Sequence, residues 1–364
     1  MFVITTRNFP PDIGGMQTLM GNIASSLLEH GPVHVFADTF DGDTNYDKKQ
    51  KYTIERIKGF KFLKKYRKAN QLEIFCSQQK KVKAIIADHW KSLEKISFNT
   101  CANVSTLCLI HGKEINHAKA SPTHTRMIQS LKKAKFIIAN SAFTKNLAIK
   151  KGIKASQIKI INPGIFTNIT VPKNSIKKAS SIFENKSPKF ISVTRLEKRK
   201  GIHSVILALK NIQVLHPNFL YVIIGDGEEY NSLKNLTRNM DLTNNVIFLR
   251  SIDQDTKNAL LQKSDIFLMP SIEDGKSVEG FGISFLEASL FKTPCIGGIA
   301  GGAADAIKDG KTGYLCDGTK HDEIYQSILK ILDSKRLKKM SSEAEKFAKT
   351  FSWKEQIKKY LKLI

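Results

Sequence analysis

The segment 278–287 reads VEGFGISFLE and carries two glutamates, Glu279 and Glu287, eight residues apart. On one continuous helix that offset leaves the side chains about 80° apart around the axis and roughly 12 Å along it. Gly280 and Gly282 argue instead for a loop holding Glu279, with Glu287 about a turn and a half inside the apolar helix that follows. Phe281, Gly282 and Ile283 then offer backbone N–H groups at a helix N-terminus, a place that favours an anion. A carboxylate in such a helix suits a ribose diol, whose two hydroxyls can donate to it. The alternative is a Glu287 that faces only solvent.

Two cations stand in VTRLEKRKG (193–201), just after a strand signal: Arg195 and Lys200. Arg as a planar fork and Lys as a point charge can together hold a diphosphate, although a solvated basic loop would read the same way. His111 in HGKE (111–114) could orient a hydroxyl or move a proton, or be structural, and Asp88-His89 poses the same choice. Gly14 and Gly15 in FPPDIGG sit in a strand-to-helix turn where backbone N–H groups can approach a phosphate, with ordinary turn chemistry as the alternative. Asp41-Gly42-Asp43 has the spacing of a metal-binding DxD pair, but it follows only the second strand in a polar loop. No GxGxxG follows the first strand, and there is no GxxxxGK[ST] and no histidine pair at metal-ligand spacing, which disfavours a redox or P-loop enzyme.

The elements that must position these groups alternate. FVITT (2–6), VHVFA (33–37), VKAIIAD (82–88), TLCLIHG (106–112) and KFIIANS (135–141) read as buried strands, and MQTLMGNIASSLLEHG as a helix ending at Gly31. Residues 163–189 are polar, hold three prolines and show no sustained period, which predicts a linker. The alternation restarts with KFISVTRL, YVIIGDG, NVIFLRS and DIFLMPS, then TPCIGG, with helices between, and the tail FSWKEQIKKYLKLI is one more amphipathic helix. The expectation is α/β: two doubly wound, Rossmann-like parallel sheets covered on both faces. The domains fall at 1–165, joined by a C-terminal helix 349–364, and at 189–348, with a linker over 166–188. Ligands of such sheets bind beyond the carboxyl ends of the strands, which points to a cleft between the halves.

The chain of 364 residues is long enough for two cores, and its 41% apolar content fits a globular protein. Five cysteines with no CxxC pair look like reduced thiols of a cytosolic protein. No basic start with a long apolar stretch marks a signal peptide, and no 18-residue apolar window predicts a spanning helix. The formal net charge is +25, and residues 51–150 concentrate it with 21 Lys/Arg against 5 Asp/Glu. Such a face serves nucleic acid, an anionic leaflet or nothing specific.

Together these pieces resemble the retaining glycosyltransferases of family 4, with the two-domain GT-B fold, over nearly the whole chain. FPPDIGGMQ, HGKE, VTRLEKRKG, IGDGEE, SDIFLMPS, VEGFGISFLEA and GGAADAIKDGKTGYL follow the family's order, the glutamate pair is its most specific mark, and FSW…Y resembles the terminal helix that returns to the first domain. The resemblance implies a role for each position. Arg195 and Lys200 neutralise the diphosphate, Glu287 holds the ribose, and Glu279 with the N–H groups of Phe281 and Gly282 contacts the donor sugar. Ile283 belongs to the same N-terminus, His111 touches that sugar from the first domain, and Gly15 caps the phosphate. It further implies retention of configuration with no metal and no cofactor, so that the carboxylates are not a hydrolase acid/nucleophile pair.

Within the family the motifs are most similar to the mannosyltransferases acting on phosphatidylinositol mannosides and to enzymes of O-antigen and capsule assembly. GDP-mannose is the first expected donor and a UDP-sugar the second, with a lipid-linked or oligosaccharide acceptor. The basic region 55–83 includes ERIKGFKFLKKYRKAN (55–70), which combines lysines with Ile57, Phe60, Phe62, Leu63 and Tyr66. It suggests a cytoplasmic protein peripheral on the inner face of the plasma membrane, against the alternative of a solvated helix face. A soluble disaccharide synthase or a sugar phosphorylase of the same fold is the alternative function. A basic nucleic-acid-binding protein with an α/β core is a further, less favoured alternative that the charge permits, but nucleic acid is not expected as a partner, since no such motif or stacking aromatic platform is present.

Overall fold

The computed structural model describes residues 1–79 and 81–364 (for Lys61, its place in a helix alone), and every count below refers to these. Lys80, part of the basic region, lies outside the described residues. The chain divides into unit 1, Met1–Gly164 with Trp353–Ile364, and unit 2, Ile165–Ser352.

Unit 1 is built on seven parallel strands: β1 (Phe2–Thr6), β2 (Val33–Asp38), β3 (Thr53–Ile57), β4 (Ala84–Ala87), β5 (Ser105–Ile110), β6 (Phe136–Ala139) and β7 (Ile158–Ile160). Their order is β3-β2-β1-β4-β5-β6-β7. Unit 2 holds β8 (Lys189–Val193), β9 (Leu220–Ile224), β10 (Val246–Leu249), β11 (Ile266–Met269), β12 (Cys295–Gly298) and β13 (Gly313–Cys316), ordered β10-β9-β8-β11-β12-β13. All pairings are parallel. In each sheet the strand order reverses beside the first strand, between β1 and β4 and between β8 and β11. At such a switch point the exit loops part to opposite faces and leave a crevice at the carboxyl ends.

Alternation along β8 shows why both faces are filled. Ile191 joins a cluster with Val222, Phe267 and Phe285 on one side, while Phe190 joins Tyr221, Ile206 and Leu268 on the other. The edge strands differ. In β7 only Ile158 is buried and in β3 only Ile57, so their sequences (IKI and TIERI) lack the apolar run that marks the central strands and carry no strand signal of their own.

Two boundaries depart from expectation. The stretch 166–188 carries a helix, Lys173–Ile182, which packs on the helix Gln254–Lys263 and buries Ala179 and Phe183 in the core of unit 2. Its apolar residues Ile176, Ala179, Ile182 and Phe183 hold helical spacing, a signal hidden by the polar flanks. The terminal helix begins at Trp353, because Lys349 closes the preceding helix Ser334–Lys349 in unit 2. Trp353, Ile357 and Tyr360 then join the core of unit 1 beside Met20, Ile23 and Leu27.

Candidate functional site

At the switch point of unit 2, β8 leads through Thr194, Arg195 and Glu197 into one 3-10 turn, Lys198–Lys200, and then Gly201. Gly201 has φ +72, and a Cβ there would overlap the carbonyl oxygen of Pro270, at the exit of β11. The two strand exits therefore run back to back, joined also by the Ile272 N–H donating to the Arg199 carbonyl (2.8 Å). This approach turns Lys200 inward, where it is 8% exposed.

Glu279 arrives from the loop after β11 and is 9% exposed. Its backbone carbonyl accepts from the Gly302 N–H (2.8 Å), which ties the loop to the segment after β12. Its Oε2 accepts from Lys200 Nζ and from Arg199 Nη1 (2.9 Å). Arg199 reaches the other way with Nε to Glu197 Oε2 (2.7 Å), and Glu197 Oε1 faces Arg195 Nη1 at 3.4 Å. The result is a chain of alternating charge, Arg195–Glu197–Arg199–Glu279–Lys200. Burial alone would raise the Glu279 pKa, but Lys200 and Arg199 outweigh it and hold the carboxyl below the usual range. Burial lowers the Lys200 pKa, aided by the like charge of Arg199 and opposed by Glu279.

In the sequence Arg195 leaves the end of a strand and Lys200 precedes the next helix, two cations expected to hold a diphosphate together. The structure links them only through three other charges, with Arg195 69% exposed on the side chain and Lys200 internal. The run EKRK contains Glu197 and Arg199, but no spacing in it links them to Glu279. Thr194 has no motif to mark it in the sequence, and its buried Oγ1 has no hydrogen-bond partner among the described residues.

The helix carrying the second glutamate spans Ile283–Leu290, so Glu287 lies one turn in. Gly282 is its N-cap at φ +84, with no capping side chain. A Cβ at Gly282 would stand 2.5 Å from two ring carbons of Phe285, so the αL conformation and the packing both require glycine. Of the first-turn N–H groups, that of Phe285 donates to the Gly282 carbonyl (3.0 Å), and no side chain caps the others. The Phe281 ring is core, 6.1 Å from the Phe351 centroid. Glu287 is half-buried and accepts from Lys257 Nζ (2.8 Å). Lys257 lies in the helix Gln254–Lys263, whose N-terminus Asp253 caps through the Thr256 N–H. Nothing in the sequence pairs Lys257 with Glu287.

Unit 1 has its own switch point. Asp88, at the exit of β4, is fully buried and accepts from Thr6 Oγ1 (2.9 Å), the Arg7 N–H (3.1 Å) and Ser92 Oγ (2.6 Å), thereby fixing the β1 exit. His89 caps a short helix through Nδ1, and burial pushes its pKa down to about 4, so the pair Asp88-His89 is structural. His111 follows β5. Its Nε2 lies 2.9 Å from the Asp88 carbonyl, which can only accept, so Nε2 carries a proton and in the neutral ring Nδ1 is the acceptor. The His111 N–H donates to Glu114 Oε1 (2.5 Å). Gly15 opens the helix Gly15–Leu27, and a Cβ there would meet nothing within 4 Å.

The basic region divides by direction. Arg56 and Lys68 point inward: Arg56 donates to the Pro10 carbonyl (2.5 Å) and to both Asp47 oxygens, and Lys68 to the Thr6 carbonyl (2.6 Å) and Asp38 (2.7 Å). They brace the glycine turn. Phe60 (80%) and Phe62 (84%) are exposed, as are Leu63 and Tyr66, with Lys65 and Lys95 over the Tyr66 ring. Among the described residues no group of three His, Cys, Asp or Glu could hold a metal ion, and no helix is long and apolar enough to cross a membrane.

Comparison with known proteins follows the same division. The Glycosyltransferase Family 4 model matches residues 13–168, and the Glycosyl transferases group 1 model matches residues 173–348. The chain is 24% identical, over 92% of its length and 90% of the relative, to a GDP-mannose-dependent alpha-(1-6)-phosphatidylinositol monomannoside mannosyltransferase of Mycolicibacterium smegmatis. It is 30% identical, over 46% of its length and 42% of the relative, to the N-acetyl-alpha-D-glucosaminyl L-malate synthase of Bacillus anthracis. Among solved structures, Anabaena HepE in complex with UDP-glucose aligns over the whole of both chains with a TM-score of 0.80 at 20% identity. With one family model over each of its two Rossmann-like units, the chain belongs to the family 4 glycosyltransferases of the GT-B fold, enzymes that move a sugar from a nucleotide donor.

Proposed function

We propose that this protein is a retaining, metal-independent hexosyltransferase. On this reading it takes mannose from GDP-mannose, or failing that a hexose from a UDP-sugar, and adds it to a lipid-linked or glycan acceptor of cell-surface assembly. The observation that carries the reading is the buried Lys200–Glu279–Arg199 cluster beside the uncapped N-terminus at Gly282. Positive charge and free N–H groups meet the charge that develops as the anomeric carbon–oxygen bond to the diphosphate breaks. Arg195, exposed on the β8 exit, adds a second cation to the leaving group. Glu279, held ionised, faces the positive charge that grows on the sugar. The acceptor hydroxyl attacks from the face the diphosphate leaves and gives its proton to the departing oxygen, which retains configuration. Glu287, oriented by Lys257, accepts from the ribose hydroxyls. In unit 1, Nδ1 of His111 is the acceptor for a sugar hydroxyl, and Gly15 leaves room for a phosphate.

The preference for mannose rests on the relative from Mycolicibacterium smegmatis, and the UDP-sugar alternative on HepE. A thermal-shift panel of UDP-glucose, GDP-mannose and ADP-glucose tests the donor, since a ligand at 100 Kd adds about 2.7 kcal/mol of stability. Stabilisation by none of them removes the reading. The aromatic and basic face around Phe62 and Tyr66 supports peripheral binding to an anionic leaflet, where each surface cation adds about 1 kcal/mol. Failure to co-sediment with phosphatidylserine vesicles at low salt would remove that part alone.

A further inference from the structure

Lys200 and Arg199 share one oxygen of Glu279 in the free protein, yet the two cations are not equivalent. Lys200 is a single ammonium whose one further hydrogen-bond partner among the described residues is the Met269 sulfur at 3.9 Å. Arg199 is clamped at both ends, to Glu197 at 2.7 Å and to Glu279 at 2.9 Å. A donor diphosphate offers Lys200 more acceptor oxygens and more negative charge than one carboxylate does. When Lys200 turns to it, Glu279 keeps Arg199 alone.

We propose that Arg199 is a positioning residue: it holds Glu279 ionised and in place once the donor diphosphate draws Lys200 away. The inference rests on the reading of Lys200 as a diphosphate ligand. It gives the neighbouring cation a separate task. Without a second cation, Glu279 would be left buried and unpaired at the moment its charge is needed, and such a carboxylate takes up a proton. The charged groups facing Glu279 are Lys200 and Arg199, with Glu197 and then Arg195 behind Arg199, while Gly302 from the loop after β12 meets only its backbone carbonyl.

The test counts protons. UDP-glucose and GDP-mannose are each titrated into the intact protein by calorimetry near neutral pH, in two buffers of different ionisation heat. Their esterified diphosphates do not titrate there, so any proton taken up enters the protein. The wild type should bind one donor with no net uptake. Arg199→Gln should take up about one proton per donor bound, and Arg199→Lys a fraction, because one ammonium must serve both Glu197 and Glu279. If Arg199→Gln does not fold, Arg199→Lys decides by the same measure. Equal proton counts in variant and wild type would overturn the inference and leave the donor site standing. A wild type that binds neither donor would remove the donor reading, and the inference with it.

Discussion

Replacing Lys200 by methionine keeps most of the side-chain volume and removes the buried ammonium from Glu279. Breaking a buried ion pair costs about 3–5 kcal/mol, chiefly because the surviving charge is left without a partner. Here the survivor retains Arg199 at 2.9 Å, so Lys200→Met should cost about 3 kcal/mol, the low end. Glu279→Gln strands Lys200 against the Met269 sulfur and should cost about 4 kcal/mol. The double variant strands neither charge. It should cost about 4 rather than the additive 7, a coupling of about 3 kcal/mol, at the upper end for residues in contact. The assay is urea unfolding followed by far-UV circular dichroism. Fluorescence serves as an internal reference, because both tryptophans, Trp90 and Trp353, lie in unit 1 and these substitutions lie in unit 2. Additive costs, or a Lys200→Met variant as stable as the wild type, would show that the two groups do not depend on each other and would refute the reasoning.

Gly282→Ala should destabilise by about 2–4 kcal/mol, from the αL backbone together with overlap on Phe285, whereas Gly15→Ala, with open space around its Cβ, should leave the urea midpoint unchanged. Glu287→Ala should lower transfer at least about 100-fold with the fold intact, and Lys257→Met should weaken donor binding about tenfold by releasing Glu287, both read from steady-state kinetics. The depressed pKa of Glu279 means that its contribution to stability is present above the ordinary carboxylate range and is lost as pH falls through its folded-state value. The stability gap between wild type and Glu279→Gln should therefore be widest near neutral pH and narrow on acidification, and a gap that widens in acid would reverse the sign.

By itself the amino-acid order determined the two α/β halves, since strands buried on both faces of a parallel sheet must read as apolar runs. It also determined the order of the motifs around Gly15, His111, Arg195, Lys200, Glu279 and Glu287. The half-exposed edge strands β3 and β7 were not legible, because their mixed sequences match no single period. Nor was the direction of the basic residues: Arg56 and Lys68 turn inward to brace a loop, while Phe62 and Tyr66 on the same stretch turn out. Only the tertiary structure decided the partners of the two glutamates. Arg199 and Glu279 are 80 positions apart, Lys257 and Glu287 are 30, and each pair meets where loops leave adjacent strand ends or helices lie side by side. Such long-range ion pairs depend on where the backbone has already gone, and no local spacing encodes that.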